Sequence, residues 1–226
     1  HGRPSTILEA GVGEATTLSG VLKELSCSTP EAFGFDLSWS RVAYARKWLS
    51  EQQLSATLCT GSLFHIPFAD NSIDVVYTSH SIEPNGGNEA PILQELYRVA
   101  RSQLILVEPD YDLASSEGRR RMQEHGYCRN LPQISKSLGF DVVEHRPLCS
   151  SMNPLNPSAI TVIAKAAATP SPHILACPRY KCALQQFGSV LFSPEALVVY
   201  PIVLDIPCLR PESGILASKF PELVGG

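Results

Sequence analysis

The sequence feature that most constrains the fold is the stretch of residues 7–13, ILEAGVG. An apolar, β-branched run ends there in an acid and two spaced glycines, and Leu18, Val21 and Leu22 follow at helical spacing. A strand, a glycine turn and a helix in this order are typical of an open α/β sheet that presents backbone N–H groups to a nucleotide. The alternative is an ordinary strand-to-helix turn, since two spaced glycines are weak evidence by themselves.

The composition fits a folded protein and excludes several functional classes. The chain has 226 residues, of which 44% are hydrophobic, so it has room for one large domain and a small one. A net charge of −4 argues against a general binder of nucleic acids or anionic membranes, and no apolar run approaches the roughly 20 residues that cross a bilayer. The seven cysteines lack paired spacing, which favours reduced thiols and a cytoplasmic location. The first predicted strand starts almost at His1, which leaves room for a preceding segment.

The order of the predicted elements is that of a doubly wound sheet. Strands are predicted near residues 6–8, 31–36, 56–60, 73–77, 104–107, 140–145 and 159–164, and the main helices at 17–25, 37–53, 90–100, 116–125 and 132–138. We therefore predict a Rossmann-like α/β fold with about seven strands over residues 1–166. Residues 167–172 are predicted to be a linker, and residues 173–226 a small, mostly β domain.

Asp36 stands at the end of the second predicted strand. It lies about 20 residues past the glycine turn, where nucleotide-binding folds place an acid for the ribose hydroxyls. An ionised carboxylate only accepts hydrogen bonds, and a ribose diol offers two donors. The alternative is a negative charge that stabilises the N-terminus of the following helix.

Three motifs together resemble the class I, Rossmann-like S-adenosylmethionine-dependent methyltransferases. The turn at residues 9–13, EAGVG, is similar to the acidic-x-Gly-x-Gly turn of that family, and residues 35–38, FDLS, are similar to its ribose strand. Residues 66–74, IPFADNSID, closely resemble its LPF-x-D-x-SFD stretch, which is the most specific of the three. The resemblance extends from residue 7 to about residue 165.

The resemblance implies S-adenosylmethionine as the cofactor, with Glu9 supporting its methionine end. The implied cofactor-binding residues are Glu9, Gly11, Gly13, Asp36, Leu37, Ser62, Leu63 and Ser79. Two positions depart from the family pattern: Ala15 stands where a third glycine is frequent, and Ser62 where an aspartate often contacts the adenine amine. A nicotinamide dehydrogenase is the competing class, but its fingerprint requires a glycine at the position of Thr16.

The loop after the fourth strand is the expected acceptor end of such a site. Methyl transfer from a sulfonium is an in-line displacement, in which the protein chiefly aligns the acceptor and excludes water. His80 is predicted to act as a base or to position the acceptor; the alternative is a loop histidine that only bonds the backbone. Further predicted acceptor contacts are Glu83, Asn85, Glu108, Tyr111 and Tyr127. Glu108 is alternatively a structural acid at a helix terminus.

The tail holds a second resemblance, to the small zinc-ribbon-like proteins that bind and activate methyltransferases. It rests on residues 174–178, ILACP, together with YPI at 200–202 and DIP at 205–207. The metal-binding knuckles of that family are eroded here, so we expect no metal; the alternative is a zinc site made by Cys177, Cys182 and Cys208. Because so small a module rarely folds on its own core, we expect it to dock on the first domain.

Together these patterns predict a cytoplasmic methyltransferase that acts on a small molecule, such as a metabolite, a sugar or a natural-product intermediate. The Asn/Asp-Pro-Pro-Tyr signature of amino or amide methylation is absent from the sequence, which disfavours methylation of DNA bases. The activator-like tail leaves open an acceptor in RNA or a translation factor. A non-catalytic scaffold is a further alternative, which the glycines and Asp36 disfavour. The acceptor atom and the oligomeric state stay open.

Overall fold

A computed structural model describes residues 3–25, 30–148, 153, 155–166 and 168–224. Cys27, Cys149 and the limits of the predicted domains at residues 1, 167 and 226 lie outside the described part. A seven-stranded sheet has the order β3-β2-β1-β4-β5-β7-β6. Its strands are β1 (Thr6–Ala10), β2 (Glu31–Asp36), β3 (Thr57–Thr60), β4 (Ile73–Ser79), β5 (Ala100–Pro109), β6 (Asp141–Pro147) and β7 (Ser158–Ala164). β7 runs antiparallel to both of its neighbours, whereas the pairs from β3 to β5 are parallel.

Five helices connect these strands and cover both faces of the sheet. They are α1 (Thr16–Glu24), α2 (Trp39–Glu51), α3 (Glu89–Val99), α4 (Ser116–Glu124) and α5 (Leu131–Ser137). One apolar cluster packs α1 and α2 on one face, and the other cluster packs α3 on the opposite face. Burial on both faces explains why residues 75–77 in the middle of β4, VVY, are apolar in succession.

The residues that precede the first two helices have identifiable local conformations. Ser38 begins α2, where its hydroxyl accepts a bond from the backbone N–H of Arg41 at 3.4 Å. Ala15 precedes α1 with a φ of 61°, in the left-handed region that favours glycine. The frequent third glycine of the resembled family falls at this position, so the backbone has kept the conformation although the side chain has changed.

The tail forms a second, smaller sheet of antiparallel strands. Its elements are β8 (Gln185–Phe187), β9 (Val190–Ser193), β10 (Val198–Val203), β11 (Ile206–Pro207), β12 (Ile215–Leu216) and the short helix α6 (Phe220–Val224). The predicted α/β architecture with a small β unit at the C-terminal end is thereby confirmed. In the described part of the chain, no helix is long and apolar enough to span a membrane.

The tail lies against the first sheet at the side of β3. Backbone hydrogen bonds join Ala69 to Ile174 at 2.9 Å, Ala176 to Pro67 at 3.0 Å, and Leu209 to Thr60 at 3.2 Å. Buried Cys177, Tyr200 and Leu209 belong to the same apolar cluster as Phe68 and the core of the first sheet. The two sheets therefore share one continuous core.

Two of the three tail thiols of the alternative zinc site, Cys177 and Cys182, share Ser193 as a hydrogen-bond partner, and the third has other partners. Cys177 Sγ lies 3.8 Å from the hydroxyl of Tyr200, and Cys182 Sγ lies 3.4 Å from the hydroxyl of Ser193. Cys208 instead sits beside Thr60, with its thiol directed at the carbonyl oxygen of Ile206. Within the described ranges, no group of three or more His, Cys, Asp and Glu side chains is placed to hold a metal ion. The geometry therefore does not support the alternative three-cysteine site.

Candidate cofactor and acceptor site

The glycine turn brings the backbone of β1 close to the loop after β4. Gly11 has a φ of +79°, and its N–H donates to the carbonyl oxygen of Phe35 at 2.9 Å. A Cβ at Gly11 would collide with the Cβ of Ser81, whose hydroxyl donates to the carbonyl oxygen of Ala10 at 2.7 Å. Glycine is required here both by conformation and by space.

Asp36 lies at the end of β2 with both carboxylate oxygens held by the backbone. Oδ2 accepts from the N–H of Gly13 at 3.0 Å, and Oδ1 accepts from the N–H of Ser38 at 2.9 Å. The guanidinium of Arg41 adds a longer ion pair at 3.7 Å. Each carboxylate oxygen has two lone pairs, so both retain capacity to accept a hydroxyl. The acid is thus fixed in position and still able to bind a diol.

A cleft of about 430 Å³ opens at the carboxyl ends of β1, β2 and β4. Its lining residues are Gly11, Phe35, Asp36, Leu37, Arg41, Gly61, Ser62, Leu63, Phe64, Ser79, His80, Ser81, Pro84 and Asn85. Most of the predicted cofactor residues are among them, together with the predicted acceptor residues His80 and Asn85. Topological switch points of parallel sheets are where such folds bind ligands.

One wall of the cleft is apolar and accessible. The side chains of Leu37 and Phe64 are 54% and 38% exposed, and accessible apolar groups on a concave surface are typical of ligand-binding clefts. Ser62 lies beside them, and its hydroxyl accepts weakly from the N–H of Phe64 at 3.3 Å. An apolar wall next to a hydroxyl and a fixed carboxylate suits a flat heteroaromatic base joined to a ribose.

Glu9 does not line the cleft, because strand alternation turns it to the α1 face of the sheet. It pairs with Tyr77 across β1 and β4, and the Tyr77 hydroxyl donates to Glu9 Oε2 at 3.1 Å. The carboxyl is buried, and this burial raises its pKa to about 8 despite bonds from Tyr77 and the backbone of Leu18. Glu9 thus underlies the glycine turn instead of facing a ligand, and its predicted support of the methionine end stays a prediction.

Glu108 anchors the loop after β4. Its carboxylate accepts from the backbone N–H groups of Ser81 at 3.1 Å, Ile82 at 3.2 Å and Glu83 at 3.1 Å. Burial raises its pKa to about 7, against the bonds from Thr78 and the loop, which lower it. Glu108 is thus held by loop backbone at residues 81–83 and not by a helix terminus, as the structural alternative supposed.

His80 has a φ of +56° and both of its ring nitrogens engaged. Nδ1 lies 2.7 Å from Oε2 of Glu83, and Nε2 lies 3.0 Å from Oγ of Ser158 at the start of β7. The bond to Glu83 raises the pKa of His80, although burial opposes it. Burial alone would raise the pKa of Glu83, but its bonds from His80, Tyr127 and Asn156 lower it overall. The pair therefore favours an imidazolium beside a carboxylate.

The remaining predicted acceptor residues separate into two groups. The Asn85 amide donates to the carbonyl oxygen of Ser81 at 3.3 Å within the cleft wall, and Tyr127 bonds Glu83 behind the cleft. Tyr111 instead lines a separate small cavity of about 20 Å³, with its ring between the guanidinium groups of Arg119 and Arg129. The structure does not bring Tyr111 to the cleft.

Four residues that contribute to the site carry no signal in the sequence. Arg41 and Ser81 line the cleft, and Asn156 and Ser158, just before and at the start of β7, bond Glu83 and His80. Arg41 was recognisable only as a surface residue of a helix. Ser158 and Asn156 follow an irregular segment, and only the antiparallel pairing of β7 with β5 brings them near His80.

Comparisons with known proteins bear on this site. Residues 7–103 match a family described as a methyltransferase domain. A comparison with curated proteins gave no significant match. Among solved structures, the 4+2 cyclase SpnF is similar with a TM-score of 0.60 and 16% identity, over 73% of this chain and 75% of that one.

Two further solved structures are methyltransferases by name. A SAM-dependent methyltransferase from Aquifex aeolicus has a TM-score of 0.54 and 16% identity, over 71% of this chain and 81% of that one. Magnesium protoporphyrin IX methyltransferase from Synechocystis, with bound SAH, has a TM-score of 0.54 and 16% identity, over 71% of this chain and 74% of that one. At such identities the likeness shows the fold.

The family match covers the glycine turn, the ribose strand, the 66–74 stretch and the strands on either side of the cleft. It supports S-adenosylmethionine as the cofactor that the sequence motifs imply. It also agrees with the prediction of an enzyme, because the family that residues 7–103 match is described as a methyltransferase domain.

Proposed function

We propose that the protein transfers the methyl group of S-adenosylmethionine to a small-molecule acceptor, such as a metabolite, a sugar or a natural-product intermediate. The observation that carries the proposal is the cleft at β1, β2 and β4. There a fixed carboxylate, an accessible apolar wall and a glycine turn lie next to a polar loop. The methyltransferases of known structure that share this fold add support.

The described residues fit the parts of this cofactor. Asp36 would accept bonds from the ribose hydroxyls, and Leu37 and Phe64 would cover the adenine ring. Gly11 and Ser79 line the part of the cleft left for the amino-acid end, and His80 and Asn85 line the acceptor end. The bound cofactor supplies an electrophilic methyl group on sulfur, so the chain's own task is to align the acceptor and exclude water.

The tail would stabilise this domain from the side of β3. We propose the predicted division into a methyltransferase domain at 1–166, a linker at 167–172 and a docked tail at 173–226. The three backbone bonds to Thr60, Pro67 and Ala69 and the shared apolar core support it. Arg210 also donates to the carbonyl oxygen of Leu37 at 3.3 Å, which links the tail to a residue of the cleft wall.

Two alternatives use the same fold. SpnF is named a cyclase, so a similar fold serves chemistry other than methyl transfer. An RNA or translation-factor acceptor would require a surface for a macromolecule, and the net charge of −4 gives no support to RNA.

The cytoplasmic location is proposed from the described cysteines, Cys59, Cys128, Cys177, Cys182 and Cys208, which are all free thiols.

Isotope-labelled methionine tests the proposal directly. Producing cells with and without the gene are fed methionine with a labelled methyl group, and their small molecules, RNA and proteins are analysed by mass spectrometry. We expect a labelled small molecule that disappears with the gene. Label that is lost from RNA or protein instead would identify the alternative acceptor. Calorimetry with S-adenosylhomocysteine tests the cofactor, and no measurable binding would favour a scaffold.

A further inference from the structure

Ser158 is the buried residue that connects the last part of the sheet to the acceptor loop. Its Oγ lies 3.0 Å from Nε2 of His80, and its side chain is almost wholly buried at the start of β7. On the other side of the ring, Nδ1 lies 2.7 Å from Oε2 of Glu83. The imidazole is therefore gripped from two separate elements, by β7 and by the loop after β4.

The second partner is itself held in place. Oε1 of Glu83 accepts from the Asn156 amide at 3.1 Å, and the Tyr127 hydroxyl also bonds this carboxylate. The backbone N–H of Glu83 is fixed by Glu108. His80 also has a left-handed backbone conformation, which is uncommon for residues other than glycine. Glu83 and Ser158 therefore restrain the His80 ring directly, and the groups that hold Glu83 restrain it indirectly.

We infer that Ser158 is a positioning residue which, together with Glu83, holds His80 by both ring nitrogens, so that no free lone pair of the imidazole is offered to the methyl acceptor. This inference rests on the proposed function. The acceptor is then an atom that reacts without giving a proton to His80, and among such atoms we assign it to the carboxylates, which are already ionised at neutral pH. A carboxylate oxygen forms the new O–CH3 bond while the sulfonium S–CH3 bond breaks, and no proton moves.

The charges around the ring favour its protonated form. Glu83 faces His80 from its own loop and Glu108 from β5, and both favour the imidazolium, whereas burial opposes it. Ser158, Asn156 and Tyr127, which complete the surroundings, are neutral groups. An imidazolium donates from both nitrogens, so it can bond Glu83 and Ser158 at once.

Nuclear magnetic resonance of the ring N–H protons tests the two hydrogen bonds of the His80 ring, and it needs no methyl acceptor. Such protons are seen only when they are protected from exchange with water. In the complete chain with S-adenosylhomocysteine, we expect both His80 N–H signals, loss of the Nε2 signal in Ser158→Ala, and loss of the Nδ1 signal in Glu83→Gln. Ser158→Thr should keep both, because it keeps the hydroxyl.

Ser135→Ala is the matched control, since Ser135 is buried and its hydroxyl has no partner within the described residues. It should keep both signals. Absence of both signals from the unmodified protein, or an Nε2 signal that survives in Ser158→Ala, would overturn the positioning role.

The chemistry of the product tests the acceptor class. The complete chain is incubated with cell extract and S-adenosylmethionine labelled in its methyl group, and the labelled product is treated with alkali. A methyl ester releases labelled methanol, which is the expected result, whereas an alkali-stable methyl ether or methylamine would overturn the assignment to carboxylates. If S-adenosylhomocysteine does not bind at all, the proposed function fails, and the signals of the ligand-free protein still decide the role of Ser158.

Discussion

Three buried carboxylates near the carboxyl ends of the parallel strands have three different surroundings. Asp36 retains capacity to accept bonds and faces the cleft, Glu108 is consumed by backbone donors, and Glu9 is enclosed beside Tyr77. All three are acids near the carboxyl end of a strand. The direction of each side chain and the hydrogen-bond donors around it therefore decide whether the carboxylate can bind a ligand. Two of the three give sharp predictions.

Asp36 is expected to be needed for cofactor affinity. Asp36→Ala should weaken binding of S-adenosylhomocysteine by about 1.5–3 kcal/mol, the usual worth of hydrogen bonds to a charged group. Calorimetry measures the change. Asp74→Ala is the control, because Asp74 is also buried and holds the backbone of Ser5 at 2.7 Å, but at the opposite end of the sheet. Equal affinities of the two variants would remove Asp36 from the ribose site.

Glu9 is expected to make stability fall as pH rises. Its folded pKa of about 8 lies above the ordinary value of 4.5, so the folded state holds a proton that the unfolded state has lost between these values. Stability is therefore fully expressed below the lower value and declines up to the higher one. Glu9→Gln should remove this decline and gain up to a few kcal/mol at pH 9, at about 1.4 kcal/mol per unit.

Urea unfolding of the protein and the variant at pH 5 and pH 9 measures this difference. Glu31→Gln, at an exposed position on the neighbouring strand, serves as the control and should change little at either pH. A variant that is destabilised equally at both pH values would show that Glu9 acts through its hydrogen bonds and not through its proton.

At the scale of elements, Lys165 terminates α3 from a distance in the sequence. Its ammonium donates to the carbonyl oxygens of Tyr97 at 2.6 Å and Ala100 at 2.8 Å, and it lies 4.6 Å from the centre of the Tyr97 ring. Cations stabilise helix C-termini, where carbonyl oxygens lack intrahelical partners. The residue after β7 therefore fastens α3 to the sheet.

Lys165→Met should lower the free energy of unfolding by about 1–3 kcal/mol, because two or more carbonyl oxygens lose a charged donor. Chemical denaturation measures the loss. Lys47→Met is the control, since Lys47 is exposed and makes only a 3.9 Å pair with Glu51. A loss no greater than that of the control would mean that water replaces Lys165 at the helix end.

The elements themselves were largely predictable from the sequence, and the acceptor end was not. Residues 32–35 and 75–77 are predictable as strand residues because successive positions carry no polar side chain, as in strands that are buried on both faces. The place of Asp36 follows from its position directly after the first of these runs. Side chains alternate along β1, so Glu9 points to the other face of the sheet from Leu8 and Ala10. The resemblance to the family motif had instead predicted that Glu9 faces the cofactor. The position of Ser158 depends on the register between β5 and β7, which is tertiary and leaves no local pattern.

At the scale of the whole molecule, the tail and the first sheet have one core. A chain that ends at residue 166 would leave Phe68 and its neighbours without Cys177, Tyr200 and Leu209, which cover them in the complete chain. We expect this shortened chain to be poorly soluble and to unfold at lower temperature. Scanning calorimetry and gel filtration measure both properties.

Leu216→Ser in the complete chain is the control, because Leu216 is 77% exposed and takes no part in the shared core. It should leave solubility and unfolding temperature unchanged. A shortened chain that is soluble, as stable as the complete one and equally able to bind S-adenosylhomocysteine would make the tail an independent appendage.

The contact of Cys208 and Leu209 with β3 affects the tendency of the protein to self-associate at high concentration. β3 is the outermost strand of its sheet, and an uncovered outermost strand offers unpaired N–H and C=O groups to any other chain. Here the bridge from Thr60 to Cys208 occupies that position within the same molecule. The tail thereby protects the sheet from strand-by-strand association between copies, and variants that loosen it should aggregate before they lose their secondary structure.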